Sequence, residues 1–272
     1  MYLNEFQRLV EIMQRLRREC PWDNAQTPET LRQYIMEEAY ETIEAIDNKN
    51  WLELRKELGD LLLQIVFQAE IAEEENRFTL NDVIHHINEK LIERHPHVFG
   101  EVKVNNADEV KDNWERIKVE KENRQTIFEG LPKIMSALLF AQRVQDKASQ
   151  VGFDWEDPNG VLKKISEEIS ELETGIKNQN PEEIEGEIGD VIFSLVNLCR
   201  FHKINAEDVL RQTTEKFIAR FQYIEKRLAE QNRSIHQSSL EEMDKLWDEA
   251  KEKYRQNKHD FNPLNGNVDK SD

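Results

Sequence analysis

One pattern of carboxylates occurs twice in this chain, and any fold must use it twice. In the first half Glu38 and Glu41 stand three apart in "MEEAYE", and Glu57 and Asp60 stand three apart in "KELGD". In the second half Glu168 and Glu171 in "SEEISE", then Glu187 and Asp190 in "GEIGD", repeat the arrangement. From the end of the first pair to the start of the second is 16 residues in both halves. Residues three apart share one face of a helix, so each pair makes a two-carboxylate edge. Two such helices facing each other bring four carboxylates together. That group repels itself unless a cation enters, and Mg²⁺, which takes oxygen ligands in octahedral geometry, turns it into a site.

The repeat predicts two helical domains within 272 residues. Boundaries are expected at 1–122 for the first, 123–133 for a linker around Gly130-Leu131-Pro132, and 134–262 for the second. A disordered polar tail is expected at 263–272. The formal net charge of −18 argues against nucleic acid or an anionic membrane surface as a partner. Cys20 and Cys199 lie in different halves without C-x-x-C spacing, which suits a reducing compartment. The charged N-terminal stretch does not read as a signal peptide, and the most apolar run, "LLLQIVFQAEIA", is far short of a membrane span. A soluble, cytoplasmic protein is expected.

Apolar residues recur at helical spacing throughout, and nine glycines and seven prolines leave little material for β-turns, so the fold class is all-α. A helix over residues 3–16 presents Leu3, Phe6, Leu9, Val10, Met13 and Leu16 as one stripe. "CPWDNAQTPET" interrupts it, and Thr27 before Pro28 reads as the cap of the next helix. A third helix is expected from Trp51 to about Glu75 and a fourth from Thr79 or Leu80 to Arg94. The second half keeps the order: Gln142-Arg143 answers Gln14-Arg15, and "GFDWEDPNG" stands where "CPWDNAQTP" stood. Lys216 and Arg220 answer Lys90 and Arg94, and Trp247 with Lys251 answers Trp114 with Lys118.

A single Glu-x-x-Glu on a helix is usually a solvated face. Here the acids adjoin apolar residues, and Gly59 and Gly189 sit among them in helix interiors, where each costs about 1 kcal/mol against alanine. A glycine there makes sense if a second helix or a ligand approaches closely. The Lys/Arg pairs suit either a helix C-terminus or phosphate contact; the tryptophans suit either core or a stacking platform. His85, His86, His95 and His97 read as surface or turn residues, and the absence of any Glu-x-x-His removes the usual di-iron signature. No glycine-rich phosphate loop or nucleophile motif is present, so a phosphate-handling site must work through metal and side chains.

These motifs resemble those of the MazG family of nucleoside triphosphate pyrophosphohydrolases, in its two-domain form within the all-α NTP pyrophosphatase superfamily. The resemblance rests on "CPWD" at 20–23, "EEAYE" at 37–41, "ELGDLL" at 57–62 and "RHPHVF" at 94–99. In the second half it rests on "VGFDW" at 151–155, "EEISE" at 167–171, "EIGD" at 187–190 and "EKFIARF" at 215–221. It implies hydrolysis of nucleoside triphosphates to monophosphate and pyrophosphate, with Mg²⁺ as cofactor and Mn²⁺ able to substitute. It implies a homodimer in which each domain completes a four-helix bundle with its counterpart. Carried over, Glu38, Glu41, Glu57 and Asp60 bind metal in the first domain, and Glu168, Glu171, Glu187 and Asp190 in the second. Lys216 and Arg220 hold phosphates, and Trp247 and Lys251 line the nucleotide site; Lys90, Arg94, Trp114 and Lys118 are their first-half equivalents. Glu41 or Glu171 serves as general base. The alternatives are a hydrolase of the same fold acting on another pyrophosphate-containing nucleotide, and a non-catalytic helical interaction module.

Overall fold

A computed structural model describes residues 2–104, 106, 109–110 and 126–256. The expected helix carrying Trp114 and Lys118, and the expected tail, lie outside these. Among the described residues the structure is helical and contains no strand, in agreement with the all-α reading. The chain divides into two compact units, Met1–Ile117 and Lys118–Asp272.

The first unit begins with α1 (Tyr2–Glu19), followed by the single turn α2 (Pro21–Asn24) and then α3 (Pro28–Asp47). Thr27 caps α3: its side chain accepts from the Thr30 backbone N–H, and Thr30 answers through the Thr27 N–H. Pro28 follows at the first helical position, where its missing N–H leaves no bond unmade. Asn48 to Asn50 turn the chain, with Lys49 at φ 52°, and the Asn50 side chain caps α4 (Trp51–Glu74). α3 and α4 thus form a hairpin packed along its length, with α1 laid against α4. Met13, Leu31, Val66, Phe67 and Ile71 form the buried core, joined by Tyr34, Leu63 and Leu80. α5 (Leu80–Arg94), opened by a Thr79–Asp82 capping box, and the short α6 (Pro96–Phe99) complete the unit's described part.

The second unit repeats this plan. α7 (Ala137–Gln150) leads through the "VGFDW" loop into α8 (Pro158–Asn178) and α9 (Pro181–Phe201). The Asp157 side chain caps α8 by accepting from the Asn159 and Gly160 N–H groups. Gln179, at φ 53°, and Asn180 turn the hairpin, and the Asn180 side chain caps α9. α10 (Ala206–Ala229) packs against α7 and α9 and along α11 (Leu240–Gln256), around Ile224, Leu228 and Leu246.

Among the described residues of its own unit, each hairpin has an apolar face that is left partly exposed. On α4, Leu58, Leu62 and Ile65 are about half exposed, and on α9 the equivalent Ile188, Ile192 and Leu195 are too. These positions follow helical spacing, so each trio is one stripe. Among the described residues, a Cβ built on Gly59 or Gly189 meets nothing within 4 Å, so none of these requires either glycine.

Candidate metal centre

The turn geometry of each hairpin sets two acid-bearing helices face to face. In the first, oxygens of Glu38 on α3 and of Glu57 and Asp60 on α4 lie within 4.8 Å of one another. Glu57 is only 6% exposed. Burial, then hydrogen bonding with Glu53 and Glu41, raises its pKa to about 7. Burial and the charge of Asp60 likewise hold Glu38 above the usual carboxylate range. Glu41 is exposed beside this trio and reaches it through Glu57.

In the second hairpin, oxygens of Glu168, Glu187 and Asp190 lie within 4.8 Å of one another, and Glu168 forms a second such group with Glu167 and Glu171. All four sequence-identified acids thus gather around buried Glu168. Burial, with the charges of Glu171, Glu168 and Asp190, raises the Glu187 pKa. Its Oε2 is buried with no hydrogen-bond partner.

In the second cluster a lysine pairs with one of the clustered carboxylates directly. Lys164, one turn before Glu168, places Nζ 2.7 Å from Glu167 and 2.5 Å from Glu168. This contact holds the Glu168 carboxyl below its usual range although burial opposes it. The corresponding residue of the first repeat is Tyr34, which packs edge-on to Trp22 at 6.0 Å and joins the core. The acid pairs signalled the site, but Lys164 went unread; its position four residues before Glu168 on one helix was the available signal.

The cationic and aromatic candidates stand on other helices. Lys90 and Arg94 are half-buried near the end of α5. In the second unit the Arg220 guanidinium lies 5.3 Å over the Trp247 ring, which also meets Phe217 at 5.0 Å. Trp247 packs against the buried cluster of Ile224, Leu228 and Leu246. Lys251 is paired with Asp248 at 2.8 Å. The structure therefore brings the acids together on α8 and α9, and Arg220 with Trp247 on α10 and α11.

Carboxylate oxygens alone, partly buried and with one orphaned oxygen, fit a hard divalent cation and offer nothing to a soft one. Fold and site together define an all-α tandem-repeat protein with an acidic helix-hairpin centre in each unit. The MazG nucleotide pyrophosphohydrolase domain matches the chain twice, at residues 26–99 and 156–224, and each match contains one complete acid set. The chain belongs to the MazG family. It is 44% identical to the nucleoside triphosphate pyrophosphohydrolase/pyrophosphatase MazG of Thermotoga maritima, over 90% of this chain and 95% of that protein. It is 39% identical to a nucleoside triphosphate pyrophosphohydrolase of Escherichia coli K12, over 92% of this chain and 98% of that one. A solved structure of a mazG-related protein from Thermotoga maritima aligns with 41% of this chain and 97% of its own, with 31% identity and a TM-score of 0.38.

Proposed function

We propose that this chain hydrolyses nucleoside triphosphates to nucleoside monophosphate and pyrophosphate at its acidic hairpin centres, using Mg²⁺. The observation that carries the proposal is the repeated convergence of carboxylates from two helices, with a Glu187 oxygen left unpartnered in a buried position. Glu38, Glu57 and Asp60, with Glu41, would hold the cation in the first unit; Glu168, Glu171, Glu187 and Asp190 would hold it in the second. A bound divalent cation supplies charge neutralisation at the phosphates and a water of lowered pKa.

The chain's own residues supply the rest. Glu41 and Glu171 are exposed at the edges of their clusters, where a carboxylate can take the proton of the attacking water. Lys164, already an ammonium beside the carboxylates, is placed to meet phosphate oxygens. Lys216 and Arg220 would counter the charge growing on the departing pyrophosphate. Trp247 contributes by holding Arg220 against its ring, and Lys251 lies on the same helix; Lys90, Arg94, Trp114 and Lys118 would be the first-half counterparts.

The half-exposed stripes on α4 and α9 support a homodimer, because apolar faces of this kind mark association surfaces. A second copy of each hairpin laid on the first makes a four-helix bundle and gives Gly59 and Gly189 a neighbour. The net charge supports the absence of nucleic acid as a partner. Among the described residues no helix is long and apolar enough to cross a membrane, which is compatible with the proposed cytoplasmic location.

Asp60→Asn and Asp190→Asn test the assignment, singly and together. The double variant is expected to lose turnover by at least about a hundredfold while keeping its helical circular dichroism. Full activity in that folded double variant refutes the acidic centres as the active sites.

A further inference from the structure

Each acid hairpin is closed at one end by its turn; at the other end the loop that precedes it is tied back to the hairpin. In the first unit Arg17 on α1 makes the tie. Its guanidinium donates to the carbonyls of Asp23, Asn24 and Gln26 and pairs with Glu74, the last residue of α4, at 2.5 Å. In the second unit the equivalents of Arg17 and Glu74 are Gln145 and Ile204. There the loop is tied by Arg200, near the end of α9, where the first repeat has Glu70. An arginine thus bridges the same gap in both units, from positions that do not correspond.

The second tie is a chain of contacts that runs from α9 to α8. Arg200 Nη1 donates to one Asp154 carboxylate oxygen at 3.0 Å and Nη2 donates to the other. Arg200 Nε donates to Asn197 Oδ1, one turn back on α9, at 2.9 Å. Such a two-pronged bond fixes the orientation of the carboxylate as well as its position. Asp154 Oδ1 also accepts the Trp155 backbone N–H at 2.9 Å. The Trp155 ring lies on the first turn of α8 at Gly160, where a Cβ would stand 2.6 Å from it. Asp157 caps that same turn. The Arg200 side chain is 11% exposed and that of Asp154 29%, so water competes only in part for the fork.

We propose that Arg200, acting through Asp154, is a positioning residue for the second acidic centre. It holds α8 against α9 so that Glu168 meets Glu187 and Asp190. The inference rests on the reading of that centre as a divalent-cation site. Gly160 precedes Glu168 by eight residues and Arg200 follows Asp190 by ten, roughly 12 and 15 Å at 1.5 Å per residue. A shift of α8 at the loop therefore moves Glu168 against its two partners on the other helix. Lys164 rides on α8 with Glu168, so their contact survives such a shift while the cross-helix contacts do not. A hard cation with oxygen ligands at about 2.1 Å tolerates little of this, since its ligands must stay within about 0.5 Å of their places.

The test is calorimetric titration of Mn²⁺ alone into the full chain carrying Asp60→Asn, which disables the first centre so that the second is read. Asp154→Asn added to this parent keeps the side-chain shape and an acceptor for the Trp155 N–H; it is expected to weaken Mn²⁺ about fivefold or more. Arg200→Met is expected to weaken it at least as far. Arg200→Lys keeps the charge without the fork and falls between parent and Arg200→Met. Charge acting at a distance would instead move Asp154→Asn and Arg200→Met in opposite directions, and that result overturns the positioning. So does a lowered urea midpoint with unchanged Mn²⁺ affinity, which is the signature of a pair that only stabilises the fold. If Arg200→Met does not fold, Asp154→Asn and Arg200→Lys decide, because neither removes the bulk of its side chain. A parent that binds no Mn²⁺ defeats the reading of the centre and the positioning with it. A parent that binds, with variants that bind equally well, defeats the positioning alone.

Discussion

The Lys164 ammonium lies 2.5 Å from the Glu168 carboxylate, at a position where the first repeat has Tyr34 packed into its core. In the second hairpin a lysine pairs with a clustered carboxylate itself, whereas in the first Lys56 pairs with the neighbouring Glu53 at 2.8 Å. Replacing Lys164 with Met makes the second centre resemble the first. Divalent-cation affinity of that centre is expected to rise about two- to fivefold, as befits the loss of a competing but partly exposed charge. Mn²⁺ titration by calorimetry checks this, and an affinity that falls would show that Lys164 supports metal binding instead of opposing it.

Glu57 sets a pH dependence in the metal-free protein. Its pKa in the folded chain, about 7, lies above that of an exposed glutamate because of burial and hydrogen bonding with Glu53 and Glu41. The folded state thus binds this proton more tightly than the unfolded state, and stability falls as pH rises from about 4.5 to about 7 and levels off above. Glu57→Gln removes that slope. Thermal melts in chelator are expected to coincide near pH 5 and to place the variant above wild type at pH 8.

Gly189→Ala separates the isolated helix from an assembly. Among the described residues nothing lies within 4 Å of the added Cβ, so α9 is expected to gain about 1 kcal/mol in helix propensity. A second copy packed closely on α9 meets that methyl group, and the dimer is expected to weaken. Sedimentation equilibrium reads the second effect and denaturant unfolding of the dilute protein the first. A variant that is more stable and dimerises as before would place the interface elsewhere.

Arg17 is structural. Arg17→Met takes the guanidinium from the carbonyls of Asp23, Asn24 and Gln26, of which Asp23 keeps the Gln26 N–H, and removes the partner of Glu74. A loss of about 3 kcal/mol is expected; Glu74 keeps access to water, which holds the cost to the low end for a broken buried pair. Urea unfolding followed by circular dichroism measures it.

Much of this architecture was legible in the sequence because it depends on local rules. Thr27 and Pro28 announced α3, Trp51 and Leu80 stood at the starts of their helices, and the spacing of Glu38, Glu57 and Asp60 put them on two helices expected to face each other. The unread features depend on which side chain fills a shared volume. Arg17 in "QRLRREC" has the sequence signature of a surface arginine, and only the packed loop shows it to be buried. Gln145 is equally unremarkable in sequence, and only the structure shows it buried with its amide donating to the Phe193 carbonyl. Trp247 fitted both core and platform, and spacing alone could not reveal Arg220 and Phe217 against its ring.

The most direct measurement is product analysis by phosphorus NMR of the purified chain with several nucleoside triphosphates, with Mg²⁺ present and with chelator. The account predicts nucleoside monophosphate and pyrophosphate, formed only when the metal is present. Diphosphate with orthophosphate, or turnover undiminished by chelator, would contradict it.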